Sequence, residues 1–364
     1  MAPSRGRARS NKIAPDKKTT LKAETVKPKP LYKIKSHEVQ QKSLDIFQAA
    51  FGNSFDSDFL TTLQEIKGHL YNRDFAQAFG TEEYLRVYAA RWSPSRALGY
   101  LQIFSDILSE LFIPLSQSKL LSGETKSEDT AKQDAPVKVT CLGAGAGAEL
   151  VALAAHLNIA YANSEIKIEK PVEVTLVDIA DWSTVVRDLY NSITQPLILS
   201  NYALAAAKTN NTPVVAADSF CYNFVREDVL QLGSVELRGL VEDASLITLM
   251  FTLNELYSTS LSLTQRFLLR LTECVPPGAV LLVVDSPGSY STITLNGNEK
   301  KYPMHWLLDH TLVPIPGSSK EAARWEKSIT DESKWFRLSD TLKYPIELEN
   351  MRYQLHLYRR IGAS

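Results

Sequence analysis

Two patterns of hydrophobic and polar positions divide the chain. Between His37 and Phe112, apolar residues recur every three or four positions, which is the spacing of amphipathic helices. From Pro136 onward, short apolar runs typical of buried strands alternate with helical patterns. We therefore predict an N-terminal helical region followed by an α/β domain, in which a parallel sheet carries helices on both faces.

The helical region contains recognisable start signals. Thr81 can cap a helix whose first turn carries Glu82 and Glu83. Pro94, directly after Ser93, predicts the start of a further helix, because proline is favoured at the first helical position. The polar stretch 116–135 lacks large apolar groups for most of its length and predicts a surface loop or a disordered linker.

The strands of the α/β region end in polar residues. The predicted strands are VKVTCLG, VEVTLVDIAD, TPVVAADSF, SLITLMFTL, AVLLVVD and the alternating MRYQLHLYRRI. In chain order, the residues at or just after their ends include Asp178, Asp218, Asn254, Glu255 and Asp285. Ligands of parallel sheets bind at the carboxyl ends of the strands, so we expect these side chains to share one site. Helix capping or plain solvation of strand ends is the alternative for Asp178 and Asp218.

Three alternating glycines follow the first strand. Gly143, Gly145 and Gly147 lie in LGAGAGAEL, between a strand and a helix. Glycine permits a tight turn and a close ligand, and the helix start offers free N–H groups, so a nucleotide-like cofactor is expected. The turn satisfies both the loose dinucleotide fingerprint and the G-x-G-x-G pattern of S-adenosylmethionine enzymes. Asp178 follows Gly143 by 35 residues instead of roughly 20, which disfavours a nicotinamide dinucleotide.

Composition limits the function classes further. The 364 residues include no run of eighteen apolar positions and no secretory signal. Cys141, Cys221 and Cys274 form no CxxC pair, so we predict reduced, buried thiols in an intracellular protein. His305 and His310 are five residues apart, a poor spacing for a shared metal, and we expect no metal site.

The near-zero net charge hides an asymmetry. Residues 1–42 contain twelve Lys and Arg against three acids, a net charge of +9, which leaves −10 for the remainder. The sequence thus predicts a basic, disordered tail, at residues 1–36, before an acidic body. Such a tail suits RNA phosphates and a nuclear or nucleolar address, with the cytoplasm as an additional location. A solvated tail without specific use is the alternative.

Five segments together resemble one family. They are EEYLRVYAARWSPSRALGY (82–100), CLGAGAGAELVAL (141–153), LVDIADW (176–182), FTLNELYS (251–258) and VDSPGSYS (284–291). The glycine turn is unspecific, but the first and last segments are much more specific. The sequence resembles the fungal-type 25S ribosomal RNA uridine-N3 methyltransferases over most of the chain after the tail.

The resemblance implies a Rossmann-like, seven-stranded class I methyltransferase fold that uses S-adenosylmethionine. The cofactor-binding positions it implies are Gly143, Ala144, Gly145, Gly147, Asp178, Asp218, Ser219 and Asn254. Among these, Asp178 would accept hydrogen bonds from the ribose hydroxyls and Asp218 from the adenine amine. We therefore expect three regions after the tail: a helical cap at 37–115, a linker at 116–135 and the methyltransferase domain at 136–364. Within that domain, an aromatic-rich insertion at about 286–350 is expected to act as a substrate-side lid.

Uracil N3 is a poor nucleophile until it loses its proton, so a base should lie near the target. The candidate catalytic residues are Glu255, Asn254 and Asp285, with Glu255 preferred as base and a structural carboxylate as its alternative. The candidate substrate-binding residues are Arg91, Arg96, Tyr100, Tyr257 and Tyr290. Each aromatic is more often a core or lid residue, and each arginine could equally form an ion pair that fixes the helical cap.

The expected partner is ribosomal RNA or a pre-ribosomal particle, bound by a monomer during ribosome biogenesis. Three other functions stay open from sequence alone. They are a methyltransferase acting on a protein or small molecule, a non-catalytic assembly factor that keeps the fold, and a nicotinamide-dependent oxidoreductase.

Overall fold

The computed structural model describes residues 36–121, 136–162, 170–199, 201–202, 204–209, 211–288, 290–295, 298–313 and 324–362. The predicted basic tail, apart from its last residue, lies outside these ranges. The strands are β1 Val137–Leu142, β2 Val172–Asp178, β3 Phe220–Arg226, β4 Ala244–Met250, β5 Val280–Asp285, β6 Tyr290–Leu295, β7 Asn298–Pro303, β8 Trp325–Phe336 and β9 Met351–Arg360.

The helices are α1 Ser36–Phe51, α2 Phe59–Tyr71, α3 Phe75–Ala78, α4 Glu82–Leu121, α5 Ala148–Ala162, α6 Ser183–Thr194, α7 Ala205–Thr209, α8 Ser234–Val241, α9 Leu253–Thr259, α10 Leu261–Cys274 and α11 Met304–Leu312. A short 3-10 helix, Gly52–Ser54, follows α1. No helix in the described ranges combines the length and the apolar character that a membrane crossing requires.

Seven strands form one sheet in the order β3-β2-β1-β4-β5-β9-β8. Strands β1 to β5 are parallel, and β9 runs antiparallel between β5 and β8. One hydrophobic core joins α1, α4, α5 and α6 to one face, and a second joins α8, α10 and α11 to the other. The predicted Rossmann-like architecture, including the reversed terminal strand, is confirmed.

Side-chain alternation explains how β1 serves both cores. Val139 and Cys141 lie in the first core and Leu142 in the second, since successive strand residues point to opposite faces. Cys274 is buried as predicted, but Cys221 is exposed. The prediction of a buried Cys221 was wrong because β3 is an edge strand and Cys221 belongs to neither hydrophobic core.

The range predicted as an insertion contains part of the sheet itself. It begins with the antiparallel hairpin β6–β7 and helix α11, but β8 then pairs with β9 as the edge strand of the main sheet. Strand β8 escaped the sequence reading because WEKSITDESKWF is mostly polar, with only its first and last residues buried. The predicted lid is therefore divided between a hairpin, a helix and the sheet edge.

Helix α4 is one continuous helix of 40 residues through Pro94, so the prediction of a new helix at Ser93–Pro94 was wrong. Proline has no N–H, so it leaves the carbonyl of Ala90, four residues earlier, without its helical partner. The hydroxyl of Tyr344 donates to that carbonyl at 2.9 Å. Tyr344, distant in sequence, therefore supplies a hydrogen bond in place of the one that Pro94 removes. The helix also continues to Leu121, six residues into the predicted linker, and 122–135 lie outside the described residues.

We expect Tyr344→Phe to lower the free energy of unfolding by about 1–3 kcal/mol, because the buried Ala90 carbonyl would lose the hydroxyl that replaces its helical donor. Pro94→Ala supplies a backbone N–H to the same carbonyl. In the Pro94→Ala background, Tyr344→Phe should therefore lower the free energy of unfolding by a clearly smaller amount. Urea unfolding of the four proteins in this double-mutant cycle measures the coupling. An equal cost of Tyr344→Phe in both backgrounds would contradict the assignment.

Candidate cofactor and active site

The carboxyl ends of four parallel strands meet at one edge of the sheet. The register pairs Leu142 of β1 with Val177 of β2 and with Leu249 of β4, and it pairs Met250 of β4 with Val284 of β5. The residues that follow these positions therefore lie together, as the sequence predicted. They include the glycine turn, Asp178, the 251–255 segment and Asp285.

The glycine turn is packed against the chain's own side chains. Gly143 has a φ of +76°, and a Cβ there would lie 2.4 Å from atoms of Thr252. A Cβ on Gly145 would lie 1.9 Å from the Trp182 indole. Both glycines are thus required by backbone geometry and by contact with protein atoms. A ligand at this turn would contact the backbone, because Thr252 and Trp182 already fill the space beside Gly143 and Gly145.

Asp178 closes the turn from the end of β2. Its carboxylate accepts hydrogen bonds from the N–H of Gly145 at 3.0 Å and from the N–H of Ala180 at 3.1 Å, one on each oxygen. Burial raises the pKa of Asp178, and these backbone donors oppose that rise. The Trp182 indole and the Ile179 N–H also lie close enough to lower this pKa, but neither completes a hydrogen bond, so each carboxylate oxygen keeps a lone pair for a further donor.

Asp218 and Ser219 are not at this edge. Strand β3 begins at Phe220, and Val172, the first residue of β2, pairs with Phe220. Both residues therefore precede the strand at its amino end, and the prediction that Asp218 ends a strand was wrong. The apolar pair Val214 and Val215 produced the error, because it is buried in a loop rather than in a strand.

The acids at the carboxyl end of β3 are Glu227 and Asp228. The backbone N–H of Glu227 donates to the backbone carbonyl of Asp178 at 2.9 Å, which places this loop beside Asp178. Asp228 accepts from the N–H of Leu230 at 2.9 Å. These residues occupy the position that the sequence analysis gave to Asp218. FCYNFVR was overlooked as a strand because the apolar run in TPVVAADSF, directly before it, was interpreted as the third strand.

Helix α4 contributes a charged group to the edge. The hydroxyl of Ser93 donates to the carbonyl of Ala146 in the glycine turn at 2.8 Å. Three residues later, Arg96 donates to the Tyr88 hydroxyl at 3.0 Å, and its guanidinium lies 5.2 Å from the Phe251 ring centre. Among the described residues Arg96 forms no ion pair within 4.0 Å, so its charge remains available to a ligand.

Glu149 is the most unusual carboxyl group of the site. It is 3% exposed in the first turn of α5, and its Oε1 has no hydrogen-bond partner among the described residues. Burial raises its pKa to about 8; Asp178 adds to the rise, while Arg96 and the Glu149 backbone N–H oppose it. A buried polar atom without a partner is costly, so this oxygen is available to accept a hydrogen bond from a donor in the site. Sequence reasoning missed Glu149, although it directly follows the glycine turn.

Phe251 is a second residue that sequence reasoning missed. It directly follows β4 and has a φ of +56°, a conformation that bulky residues rarely adopt. Its half-buried ring lies between Arg96 and Tyr100, whose ring centre is 6.3 Å away. Backbone strain of this kind concentrates at functional sites. No sequence signal reveals a positive φ at a phenylalanine.

The three predicted catalytic residues have different environments. Asp285 is buried and accepts from the N–H groups of Asn254 at 3.0 Å and of Ser286 at 2.7 Å, so it caps helix α9. Burial raises its pKa to about 6, against the effect of these donors. Glu255 is half-buried, and its Oε2 has no hydrogen-bond partner among the described residues. Glu255 is therefore the more available acceptor.

Apart from Arg96, which lies at the site, the predicted substrate-binding residues separate into three groups. Arg91 forms an ion pair with Glu349 and so holds the 337–350 segment against α4, as the alternative proposed. Tyr257 and Tyr100 are buried in the two cores, so neither is available to an incoming base, although Tyr100 lies beside Arg96 and Phe251. The side chain of Tyr290 lies outside what the structure describes. Within the described ranges, no group of three His, Cys, Asp or Glu could hold a metal.

The chain matches a known protein family over most of its length. Residues 47–359 match the model of Methyltransf_34, a family of SAM-dependent methyltransferases. The 25S rRNA (uridine(2843)-N(3))-methyltransferase of Saccharomyces cerevisiae is 33% identical over 338 residues, which cover 87% of this chain and 85% of the yeast protein.

Solved structures are similar at lower identity. A SAM-dependent methyltransferase from Methanosarcina mazei is 10% identical with a TM-score of 0.35, covering 65% of this chain and 99% of its own. The N-methyltransferase NodS from Bradyrhizobium japonicum WM9, in complex with S-adenosyl-L-homocysteine, is 10% identical with a TM-score of 0.31, covering 70% and 85%.

Proposed function

This chain belongs to the Methyltransf_34 family of SAM-dependent methyltransferases, and from that premise we propose that it methylates N3 of a uridine in large-subunit ribosomal RNA. The observation that carries the proposal is the 33% identity to the yeast 25S rRNA uridine-N3 methyltransferase across 85% of that protein. The grouping of Asp178, Glu149, Arg96 and Glu255 at the carboxyl edge supports it, because this set provides both cofactor ligands and a base.

S-adenosylmethionine carries ribose hydroxyls, an adenine and a zwitterionic amino-acid end, and the residues at this edge fit each part. Asp178 has two free lone pairs for the ribose hydroxyls. Asp228, at the end of β3, lies in the loop next to it and suits the adenine amine. The unpartnered carboxyl of Glu149 suits the ammonium group, and the Arg96 guanidinium suits the carboxylate.

When bound, S-adenosylmethionine supplies a sulfonium methyl group, which passes to the nucleophile as the carbon–sulfur bond breaks. The chain's residues then have two tasks. They position uracil N3 in line with that bond. They also accept the N3 proton, so that the lone pair of the uracil anion forms the new carbon–nitrogen bond. Glu255 takes the proton in our proposal, because the oxygens of Asp285 already accept hydrogen bonds from Asn254 and Ser286.

We expect Glu255→Gln to lower the methylation rate at neutral pH by about 100-fold or more, the range typical of a lost general base. S-adenosylmethionine affinity should stay within about threefold of the wild type. The rate of the variant should recover as the pH is raised, because the uracil N3–H then ionises without a base. The exposed Glu242 provides the matched control, Glu242→Gln, with unchanged kinetics. A uniformly reduced rate without alkaline recovery would assign Glu255 a structural role.

The wider biology is part of the same proposal. The substrate is 25S-type rRNA or a pre-ribosomal particle, and the chain acts as a monomer in ribosome biogenesis in the nucleus and nucleolus. Two observations support this. The yeast relative is named for 25S rRNA, and residues 1–42 carry a net charge of +9 that suits RNA phosphates and a nuclear address.

Complementation tests the proposal. The chain would be expressed in yeast lacking the relative, and 25S rRNA would be mapped for N3-methyluridine at the position that the relative's name gives. The expected result is restored methylation with the wild-type chain and none with Asp178→Ala. A stably expressed, S-adenosylmethionine-binding chain that leaves the rRNA unmodified would contradict the assigned substrate. Labelling of a protein or a small molecule in the same cells would favour the other substrate classes.

A further inference from the structure

An exposed tryptophan near the end of edge strand β8 lies between two guanidinium groups. Trp335 is 48% exposed. The guanidinium of Arg337 is 4.2 Å from its ring centre, and that of Arg352, its partner on β9, is 5.7 Å away. We call these three residues the Trp335 patch.

The charge of the Trp335 patch is not neutralised within the described parts of the chain. Neither Arg337 nor Arg352 has a carboxylate within 4.0 Å there, and Arg352 donates only to the Ser333 hydroxyl at 3.0 Å. The nearby Lys334, in contrast, is paired with Asp106. Two uncompensated cations on an aromatic ring stand out on a body whose residues after position 42 carry a net charge of −10.

The sheet register places the Trp335 patch at the active-site edge. Strand β8 runs parallel to β5, since both are antiparallel to β9. Asp285 at the end of β5 pairs with Gln354, and Arg352 lies two residues beyond Gln354 on the same strand. At about 3.3 Å per residue and about 4.8 Å per strand, the Trp335 backbone lies roughly 12 Å from that of Asp285.

The Trp335 patch also lies on an accessible face of the sheet. Phe336 and Met351, the next pair in the register, are buried in the core beside α4. Trp335 and Arg352 therefore point to the opposite face, because neighbouring strand residues alternate. Gln354 shares that face, and its amide donates to the Ser286 carbonyl at 2.7 Å, next to Asp285. A ligand on the patch could thus reach directly towards the catalytic carboxylates.

We propose that the Trp335 patch binds an unpaired nucleotide of the RNA substrate adjacent to the target uridine. The base stacks on the Trp335 indole, as unpaired bases do on aromatic side chains. Arg337 and Arg352, on flexible stems, move from the ring to the flanking phosphates. The inference rests on the proposed function for the identity of the RNA, and it adds the place where single-stranded RNA next to the target is held.

The test measures binding of a twelve-nucleotide oligouridylate to the full chain by fluorescence anisotropy. Trp335→Ala should weaken binding about tenfold, the range for one lost base–aromatic stack. The matched control is Trp306→Ala, because Trp306 is 46% exposed but already packs against Tyr302 and His310. This control should bind as the wild type does. S-adenosylmethionine affinity, measured by calorimetry, should be unchanged in both variants and shows that they are folded.

The charge component is tested separately. The double variant Arg337→Gln, Arg352→Gln should reduce the slope of log affinity against log salt by about 1.4, the value for two phosphate contacts to a single strand. Equal oligouridylate affinity of the Trp335→Ala and Trp306→Ala variants, or an unchanged salt slope, would overturn the inference. Failure of the proposed function gives a different result. A chain that binds oligouridylate through Trp335 but does not methylate rRNA would support the Trp335 patch and contradict the proposed function.

Discussion

Asp178→Ala is expected to weaken S-adenosylmethionine binding by at least a hundredfold, whereas Asp218→Ala leaves it unchanged. Asp178 lies at the carboxyl end of β2, and each of its oxygens retains a lone pair for a ribose hydroxyl. A hydrogen bond to a charged group contributes about 1.5–3 kcal/mol, so two lost bonds amount to about two or more orders of magnitude. Asp218 precedes β3, at the edge of the sheet opposite to Asp178.

Calorimetric titration of the purified variants measures this difference. Asp178 also accepts from the N–H of Gly145, so thermal unfolding of each variant must accompany the titration. Asp178→Asn provides the conservative comparison, because it keeps the shape and one acceptor oxygen, and it should lose at least tenfold. Normal affinity of a folded Asp178→Ala variant, or an affinity loss in Asp218→Ala, would show that the cofactor lies elsewhere.

Cofactor affinity is also expected to fall as the pH drops from 8 to 7, by up to about tenfold, and to do so through Glu149. Burial raises the pKa of Glu149 to about 8, so at pH 7 about nine tenths of this group is protonated in the free protein. An ammonium ligand requires the carboxylate, so binding at pH 7 should release close to one proton. The other titratable groups that interact with Glu149 among the described residues are Arg96 and Tyr100 of α4, Cys141 of β1 and Asp178 of β2.

Calorimetry at pH 7 in two buffers of different ionisation enthalpy counts the released protons. Glu149→Gln should abolish the release and flatten the pH dependence between 7 and 8. Asp285, with a pKa of about 6, is largely ionised in this window and does not confuse the result. Unchanged proton release in Glu149→Gln would remove Glu149 from the cofactor site.

The same pKa has a consequence for the free protein. Its folded-state value lies above the ordinary glutamate value, so the folded state binds the proton more tightly than the unfolded state. The stabilising contribution of Glu149 is therefore fully present below about pH 4.5 and is lost as the pH rises to about 8. Bound S-adenosylmethionine should counteract that loss, because its ammonium group stabilises the ionised carboxylate.

The sequence predicted the sheet and the glycine turn correctly because both depend on local signals. Buried parallel strands such as β1 and β5 consist of apolar runs, and the alternating glycines mark the turn. Strands β3 and β8 were missed or misplaced because they lie at the two sheet edges, where one strand face meets solvent and polar residues are tolerated. The expected strand end at Asp218 was wrong because the apolar pair Val214 and Val215 lies in a loop before β3.

The roles of the two arginines in RWSPSR depended on a feature that the sequence obscured. Pro94 suggested a helix boundary, but α4 is continuous, and Arg91 and Arg96 then point about 140° apart around it. Only one of them can face the site, and the structure selects Arg96. The repair of the Ala90 carbonyl by Tyr344, 254 residues away, is a tertiary contact that no local pattern reveals.

The most direct test of the central claim is an analysis of the product. The purified full chain would be incubated with S-adenosylmethionine carrying an isotopically labelled methyl group and with large-subunit rRNA from yeast lacking the relative. The rRNA would then be digested to nucleosides and analysed by mass spectrometry. The account predicts label in N3-methyluridine, at up to one per rRNA molecule, and none with Asp178→Ala. Label at uracil C5, at a ribose hydroxyl or in another base would contradict it.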